Sequence, residues 1–147
     1  MNKGNGFTLI EVIITLAIIA ILASLTIFII NPARRLAEAR NNQRTLNINV
    51  ILLAIGQNIA NNTGDFNCAA GDIPTTTVTI IGTSTYDIYD CLVTEYLSEL
   101  PVDPVTGVFA SSTDYNTKYS IIQNATTTQI TVAAPDAELS ETITLTR

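Results

Sequence analysis

The 147-residue chain contains no histidine and no tryptophan, only two cysteines, and few charged residues, which make up 14% of the sequence. The lack of histidine excludes Ser-His-Asp and Cys-His catalytic sets, and it removes the usual ligands of zinc sites. Two cysteines do not complete a structural zinc site by themselves. We therefore expect no enzyme, no metal site and no cofactor.

Charge is also missing from one long stretch of the chain. Residues 7–30 contain a single charged side chain, Glu11. As a helix this run would be about 36 Å long, which is enough to cross a hydrocarbon core of about 30 Å. A secretory signal peptide has a shorter apolar region that ends at a small-residue cleavage site, and neither feature fits here. The run therefore predicts a single membrane span.

The charges that are present are divided unevenly. Residues 1–60 carry five bases and two acids, whereas residues 61–147 carry two bases and eleven acids. An acidic body repels phosphate backbones, so we expect no nucleic-acid binding. Four arginines follow the apolar run and only Lys3 precedes it, so a count of basic residues alone would place the arginine end in the cytoplasm.

The residues around the start of the apolar run are more specific than its composition. The sequence MNKGNG followed by FTLIEV resembles the class III leader of type IV pilins and of type II secretion pseudopilins. The resemblance lies in a short polar leader, Gly6 before the cleavage point, Phe7 after it, and Glu11 at the fifth position of the mature chain. A carboxylate in an otherwise apolar run is costly and is usually functional.

This resemblance implies a processing pathway and a set of partners. A prepilin peptidase would cut between Gly6 and Phe7 and N-methylate Phe7, and Glu11 would pair with the terminal amine of a neighbouring subunit. The precursor would span the cytoplasmic (inner) membrane with its N-terminus inside, contrary to the arginine count. An assembly platform and ATPase would then extract it into a polymer of identical or homologous subunits, either an extracellular pilus or a periplasm-spanning filament.

Glu11 also has a purely local interpretation. The segment Thr8-Leu9-Ile10-Glu11 fits the S/T-x-x-E pattern of a helix capping box, in which the glutamate side chain binds the backbone at the helix start. Capping and assembly are compatible roles, and the sequence alone leaves both open.

A second helical segment follows the apolar run. Asn31-Pro32 interrupts the first, because proline disfavours helix at the preceding residue. Apolar side chains then recur at helical spacing in two adjacent rows, which predict a wide face that packs on a sheet. The two rows are Leu46, Val50 and Leu53, and Ile48, Leu52, Ile55 and Ile59. The opposite, solvent-facing side is expected to carry Arg40, Arg44, Asn47 and Gln57.

The remainder of the chain is rich in threonine and predicts short strands separated by turns. The segments with strand patterns are residues 75–81, 115–122, 129–134 and 141–146, and residues 86–100 have the spacing of a short helix. We predict an α+β fold, with a long N-terminal helix packed on an antiparallel sheet of three or four strands. The pilin-like division is a leader at 1–6, a membrane and assembly helix at 7–30, its amphipathic continuation at 31–62 and a β-rich domain at 63–147.

Two further features lie in this C-terminal part. Cys68 and Cys91 are an even pair in a presumed exported domain, which favours one disulfide, although two separate buried thiols remain an alternative. The segment Leu100-Pro101-Val102-Asp103-Pro104 resembles the Leu-Pro-x-Asp-Pro stretch of pilins and major pseudopilins. That resemblance also raises the alternative of a calcium site built on Asp103 and Asp114.

Three functions are consistent with these observations. The first is a structural, non-enzymatic subunit of a type IV pilus-like filament, with a role in cell adhesion. The second is a pseudopilin of a type II secretion system, which shares the same architecture. The third is a monomeric, membrane-tethered binding module that does not polymerise and does not require cleavage of its first six residues.

Overall fold

The computed structural model describes residues 6–147 and contains helices and a single sheet in the order expected of an α+β protein. The elements are α1 (Leu9–Ile30), α2 (Pro32–Asn61), β1 (Thr79–Gly82), α3 (Tyr89–Leu92), β2 (Val108–Ser111), β3 (Asp114–Gln123), β4 (Ile130–Ala134) and β5 (Ile143–Thr146). The chain divides into two compact units, the first of which ends at Leu36 and the second of which spans Ala37–Arg147. The predicted leader falls mostly on residues outside the described part, which includes only its last residue, Gly6.

The first unit contains α1 and the first turn of α2. Helix α1 ends at Asn31, whose φ of 45° and ψ of 75° place it in the left-handed region. Asparagine tolerates this conformation better than most residues, and Pro32 then starts α2 because its missing N–H is not needed in a first turn. The predicted interruption at Asn31-Pro32 is therefore confirmed.

The second unit is built on the sheet, in which all the pairings are antiparallel. The strand order is β1-β3-β4-β5, and β2 pairs with the beginning of β3. Asn116 pairs with both Gly82 and Val108, so β2 and β1 lie on opposite edges of β3. The sheet thus has five strands, where three or four were expected. The additional strand is β2, an exposed strand of four residues joined to β3 by a tight turn.

The hydrophobic core lies between α2 and one face of the sheet. Helix α2 contributes Ile48, Ile51 and Ile55, all fully buried, and the sheet contributes Tyr119 and Val132 among others. A second group, from the segment around α3, closes one side of this core and includes Ile88, Leu92 and Leu100. The prediction that the amphipathic helix packs on a small antiparallel sheet is confirmed.

The face of α2 that packs on the sheet differs from the predicted one. Leu46, Val50 and Leu53 are exposed, with relative exposures of 59%, 40% and 40%, so this row does not pack on the sheet. Arg44 and Asn47, which were assigned to the solvent side, are instead buried at 1% and 8% exposure. The helix is rotated about its axis relative to the prediction, because buried polar partners on the body accommodate the arginine and the asparagine.

Candidate functional site

The described part of the chain begins with an exposed helix terminus. Thr8 is the N-cap of α1, in an extended conformation with φ −81° and ψ 150°, and its hydroxyl accepts a hydrogen bond from the Glu11 amide at 3.3 Å. Gly6 and Phe7 precede the helix and are exposed, and Phe7 has 79% relative exposure. The residues expected to flank a protease cleavage point therefore lie on an accessible, non-helical segment.

The apolar helix is exposed over residues 9–27. Residues 9–27 form a helix long and apolar enough to span a membrane, and no residue of that window is buried. Its three hydroxyl side chains are satisfied within the helix, since Thr15, Ser24 and Thr26 each donate to the carbonyl oxygen three residues earlier, at 2.8–2.9 Å. These hydroxyls therefore cost little in an apolar environment.

Glu11 is different from these hydroxyl residues. Its backbone amide is capped by Thr8, but its carboxylate forms no hydrogen bond or ion pair with any other residue from 6 to 147. The structure thus contains the first half of a capping box, from the Thr8 hydroxyl to the amide, and lacks the reciprocal bond from the glutamate side chain. The carboxylate remains available to a partner outside this part of the chain.

The second unit contains a buried ionic network that sequence reasoning missed. Arg44 donates through Nε to Asp103 Oδ2 at 2.6 Å and through Nη2 to Oδ1 at 3.2 Å, and both side chains are 1% exposed. Its Nη1 donates to Asn41 Oδ1 and to Glu138 Oε2, each at 2.9 Å. Arg40 forms a second bidentate pair with Glu138, at 2.6 and 2.7 Å.

The network fixes two distant segments to α2. Asp103 belongs to the Leu-Pro-Val-Asp-Pro segment and also accepts the backbone amides of Val105 and Thr106 at 2.9 Å. Glu138 lies on the connection between β4 and β5, and Asn41 exchanges hydrogen bonds with its backbone N–H and carbonyl. Because every member is paired, the buried charges are tolerated, and the helix is fixed in one orientation on the sheet.

These contacts shift the acid–base behaviour of both carboxylates. Burial opposes ionisation of Asp103, but the hydrogen bonds from Arg44, Thr106 and Val105 outweigh it and hold its pKa below the usual value. Hydrogen bonds from Arg40 and then Arg44 lower the pKa of Glu138 to about 2. Both carboxylates are therefore ionised at neutral pH.

The network also bears on the calcium alternative. The Asp103 carboxylate binds a guanidinium and two backbone amides, so its oxygens are engaged within the chain. No cluster of three or more potential metal-ligating side chains occurs among the described residues.

The signal for the ionic network was weak in the sequence. Extending the buried row of Ile55, Ile51 and Ile48 towards the N-terminus does reach Arg44.

The predicted disulfide is present. Cys68 and Cys91 are bonded, with 5.2 Å between their Cα atoms. The bond links the loop after α2 to α3, and both segments are also held by Asn58, whose side-chain amide donates to the carbonyls of Asn67 and Cys91 at 3.1 Å.

Comparison with known proteins identifies one motif, at the N-terminus. Residues 1–27 match the model of the prokaryotic N-terminal methylation motif. No curated protein and no solved structure matches the chain. The motif indicates a structural subunit that enters a membrane and then a filament, processed by a prepilin peptidase and assembled with other pilin-type subunits. The match at residues 1–27 supports a class III prepilin leader of the kind found in type IV pilins and pseudopilins.

Proposed function

We propose that this chain is the structural subunit of an extracellular type IV pilus-like filament. A prepilin peptidase cleaves it between Gly6 and Phe7 and methylates Phe7, and the mature chain polymerises through its apolar N-terminal helix. The observation that carries the proposal is the Glu11 carboxylate, the one polar side chain of α1 without a partner among the described residues. A monomeric anchor gains nothing from such a group, whereas a polymer can neutralise it with the amine of the next subunit.

The Phe7 amine and the Glu11 carboxylate of a neighbouring subunit would each need the other in the filament. A terminal amine and a carboxylate are each costly in an apolar filament core, and they become tolerable when they form an ion pair. Cleavage at Gly6 creates that amine on Phe7, four residues before Glu11, so an uncleaved chain lacks the required partner. This dependence would ensure that only processed subunits are incorporated.

A second exposed surface of the body supports polymerisation. The outer face of α2 carries a row of exposed residues whose spacing alternates between four and three, the period of helices packed along one another. We call it the outer row; it consists of Ala39, Gln43, Leu46, Val50, Leu53, Gln57 and Ala60. A solvated helix would not usually expose three large aliphatic side chains in line. The row is suited to bury against subunits in a fibre.

The pilus is favoured over the pseudopilin by the position of Asp103. In the pseudopilin alternative that we considered, calcium would stabilise the loop that follows Leu-Pro-Val-Asp-Pro. In this chain the Arg44 guanidinium, which stays charged at all ordinary pH values, pairs with the Asp103 carboxylate. It thereby supplies the positive charge that a metal ion would supply in that alternative. The loop needs no metal ion to neutralise Asp103.

The direct test is the state of the chain in surface fibres. Fibres sheared from cells should contain a mature chain that begins at Phe7, methylated at its amine, and mass spectrometry of the intact protein gives both facts. Replacement of Gly6 by a bulky residue should leave uncleaved precursor in the membrane and no fibres. Assembled fibres that retain Met1 would contradict the proposed processing. Processed protein that is found only as membrane monomers would favour the tethered module.

A further inference from the structure

A polar groove borders the disulfide on the side of the body where α2 ends. Three adjoining clefts share residues there, and the largest has a volume of about 460 Å³, within the range of about 300–1,000 Å³ typical of small-ligand sites. We call the largest cleft the asparagine groove. It is lined mainly by Asn58, Asn61, Asn62, Asn67, Asp90, Glu95 and Tyr96, beside Cys68 and Cys91.

The floor of the asparagine groove is rigid. Asn58 is 3% exposed and has four hydrogen-bond contacts, since it donates to the carbonyls of Asn67 and Cys91 and accepts from the Asn67 backbone amide and from the Asn62 side chain. The disulfide adds a covalent link between the same two segments. A site whose base is held in this way loses little entropy when a ligand binds.

The rim of the asparagine groove carries polar side chains that have no partner in the described part of the chain. The side chains of Asn61, Asp90 and Glu95 are exposed, and they form no hydrogen bond or ion pair with another residue of the described part of the chain. Tyr96 lines the same cleft and is half-buried. Unused amide and carboxylate groups around a fixed floor offer both donors and acceptors, beside an aromatic ring.

The charge of the region excludes one class of ligand. Residues 61–102 contain six acidic residues and no lysine or arginine, and all six acidic side chains are exposed. A ligand that carries carboxylate, sulfate or phosphate groups would be repelled from this surface. The ligand is therefore neutral or cationic.

The donors of the groove decide between these two possibilities. An ammonium or guanidinium group supplies only N–H donors, so it could pair with the two carboxylates but not with the Asn61 amide N–H groups, which would stay hydrated. A sugar hydroxyl both donates and accepts, and adjacent hydroxyl pairs suit planar amide and carboxylate groups, while the apolar face of the ring suits an aromatic side chain. We propose that the asparagine groove is a binding site for a neutral oligosaccharide.

Binding can be measured on the mature, full-length chain in micelles of a zwitterionic detergent that has no sugar headgroup. The probes are neutral hexasaccharides of β1,4-linked glucose, of α1,4-linked glucose and of β1,4-linked N-acetylglucosamine. At least one should produce saturable shifts of the asparagine side-chain amide signals in NMR spectra, with a Kd on the order of 1 mM or tighter. Absence of saturable shifts with all three up to about 10 mM, ten times that Kd, would overturn the proposal.

Paired variants locate the site. Asn61→Ala and Glu95→Gln should each weaken binding about tenfold, because each removes a ligand partner. The matched controls are Asn49→Ala, an exposed asparagine elsewhere on α2, and Glu99→Gln, an exposed glutamate outside the groove, and both should change the Kd less than twofold. Equal effects of groove and control variants would overturn the assignment of the site.

A basic peptide is the competing ligand. Its binding would fall steeply as salt rises from about 0.05 to 0.5 M, whereas binding of a neutral sugar would change little. A lysine-rich peptide that binds in a Glu95-dependent manner, with no binding of the three sugars, would replace the proposal. Since these measurements use unassembled chain, their failure would leave the proposed filament function untouched, and loss of fibres would leave sugar binding untouched.

Discussion

Two charged residues sit in opposite situations in this molecule. Arg44 is buried in the body and binds two carboxylates and an amide of its own chain. Glu11 lies in the most apolar helix, and its carboxylate has no partner within residues 6–147. The first arrangement is complete in the monomer and stabilises the fold. The second is incomplete within the described residues, and in the proposed filament another subunit would complete it. The contrast suggests that replacing Arg44 damages folding, whereas replacing Glu11 damages assembly.

The largest effect is expected from Glu11→Gln. If Glu11 neutralises the amine of a neighbouring subunit, the variant leaves that amine unpaired at a cost of about 3–5 kcal/mol per contact. Since the contact repeats along the fibre, we expect fibres to be lost while cleavage after Gly6 stays normal. Electron microscopy of sheared fibres and the mass of the membrane-bound chain measure the two outcomes.

Thr15→Val is the matched control for that variant, because the Thr15 hydroxyl is already bonded to the Val12 carbonyl within α1. It should leave fibre yield close to normal. A normal fibre yield from fully processed Glu11→Gln protein would favour the capping role instead, since glutamine is accepted at the third position of a capping box.

The next largest effect is expected from Arg44→Met. This variant leaves the Asp103 carboxylate buried without its guanidinium, which should lower the free energy of unfolding of the body by about 3–5 kcal/mol. All five tyrosines lie between residues 86 and 119, so tyrosine fluorescence during urea titration of the full chain reports on the body alone. Cleavage after Gly6 should continue.

Two further variants sharpen this result. Arg40→Met removes a partly exposed pair and should lower the free energy of unfolding much less than Arg44→Met does. The double variant Arg44→Met/Asp103→Leu removes both buried charges and should recover much of the loss, because an apolar pair avoids the unpaired carboxylate. If Arg44→Met and Arg40→Met lower the free energy of unfolding equally, the buried Arg44–Asp103 pair stabilises the body no more than the partly exposed Arg40–Glu138 pair does.

The sequence was informative where local chemistry decides the structure. The end of α1 at Asn31-Pro32, the amphipathic second helix and the Cys68–Cys91 disulfide were all predicted from residue type and spacing. The rotation of α2 was not, because polar side chains are assigned to solvent by default. The partner of Arg44 lies 59 residues further along the chain, and the packing of the sheet on α2, rather than any local pattern, brings the two together.

A third effect concerns the covalent link. Replacing both Cys68 and Cys91 by alanine should destabilise the body by about 3 kcal/mol, because the unfolded chain regains the freedom of the closed loop. The expected result is a lower urea midpoint of unfolding. The Arg44 network of the folded body should stay in place. Urea unfolding of the unreduced parent and of the reduced parent gives the matched comparison, and a variant as stable as the unreduced parent would contradict the estimate.

The smallest effect, a dependence on pH, distinguishes the two kinds of charge within the body. Unfolded aspartate and glutamate have pKa values near 4, and in the folded body hydrogen bonds from Arg40 and Arg44 lower the pKa of Glu138 to about 2. A lowered folded pKa stabilises the body above the unfolded value, and that stability is lost as pH falls through the folded value. The pKa of Asp103 is also lowered, so it acts in the same direction.

The free energy of unfolding of the parent should therefore fall as pH drops from about 4.5 towards 2, where the two carboxylates take up protons. Glu138→Gln should be less stable than the parent at pH 7, and it should lose less of its stability over the same acid range. Glu99→Gln serves as the control, because Glu99 is exposed and lies outside the network, and its pH profile should follow that of the parent. Parallel profiles for Glu138→Gln and the parent would mean that the ionised Glu138 does not stabilise the fold, and that the ionic network depends on the Arg44–Asp103 pair alone.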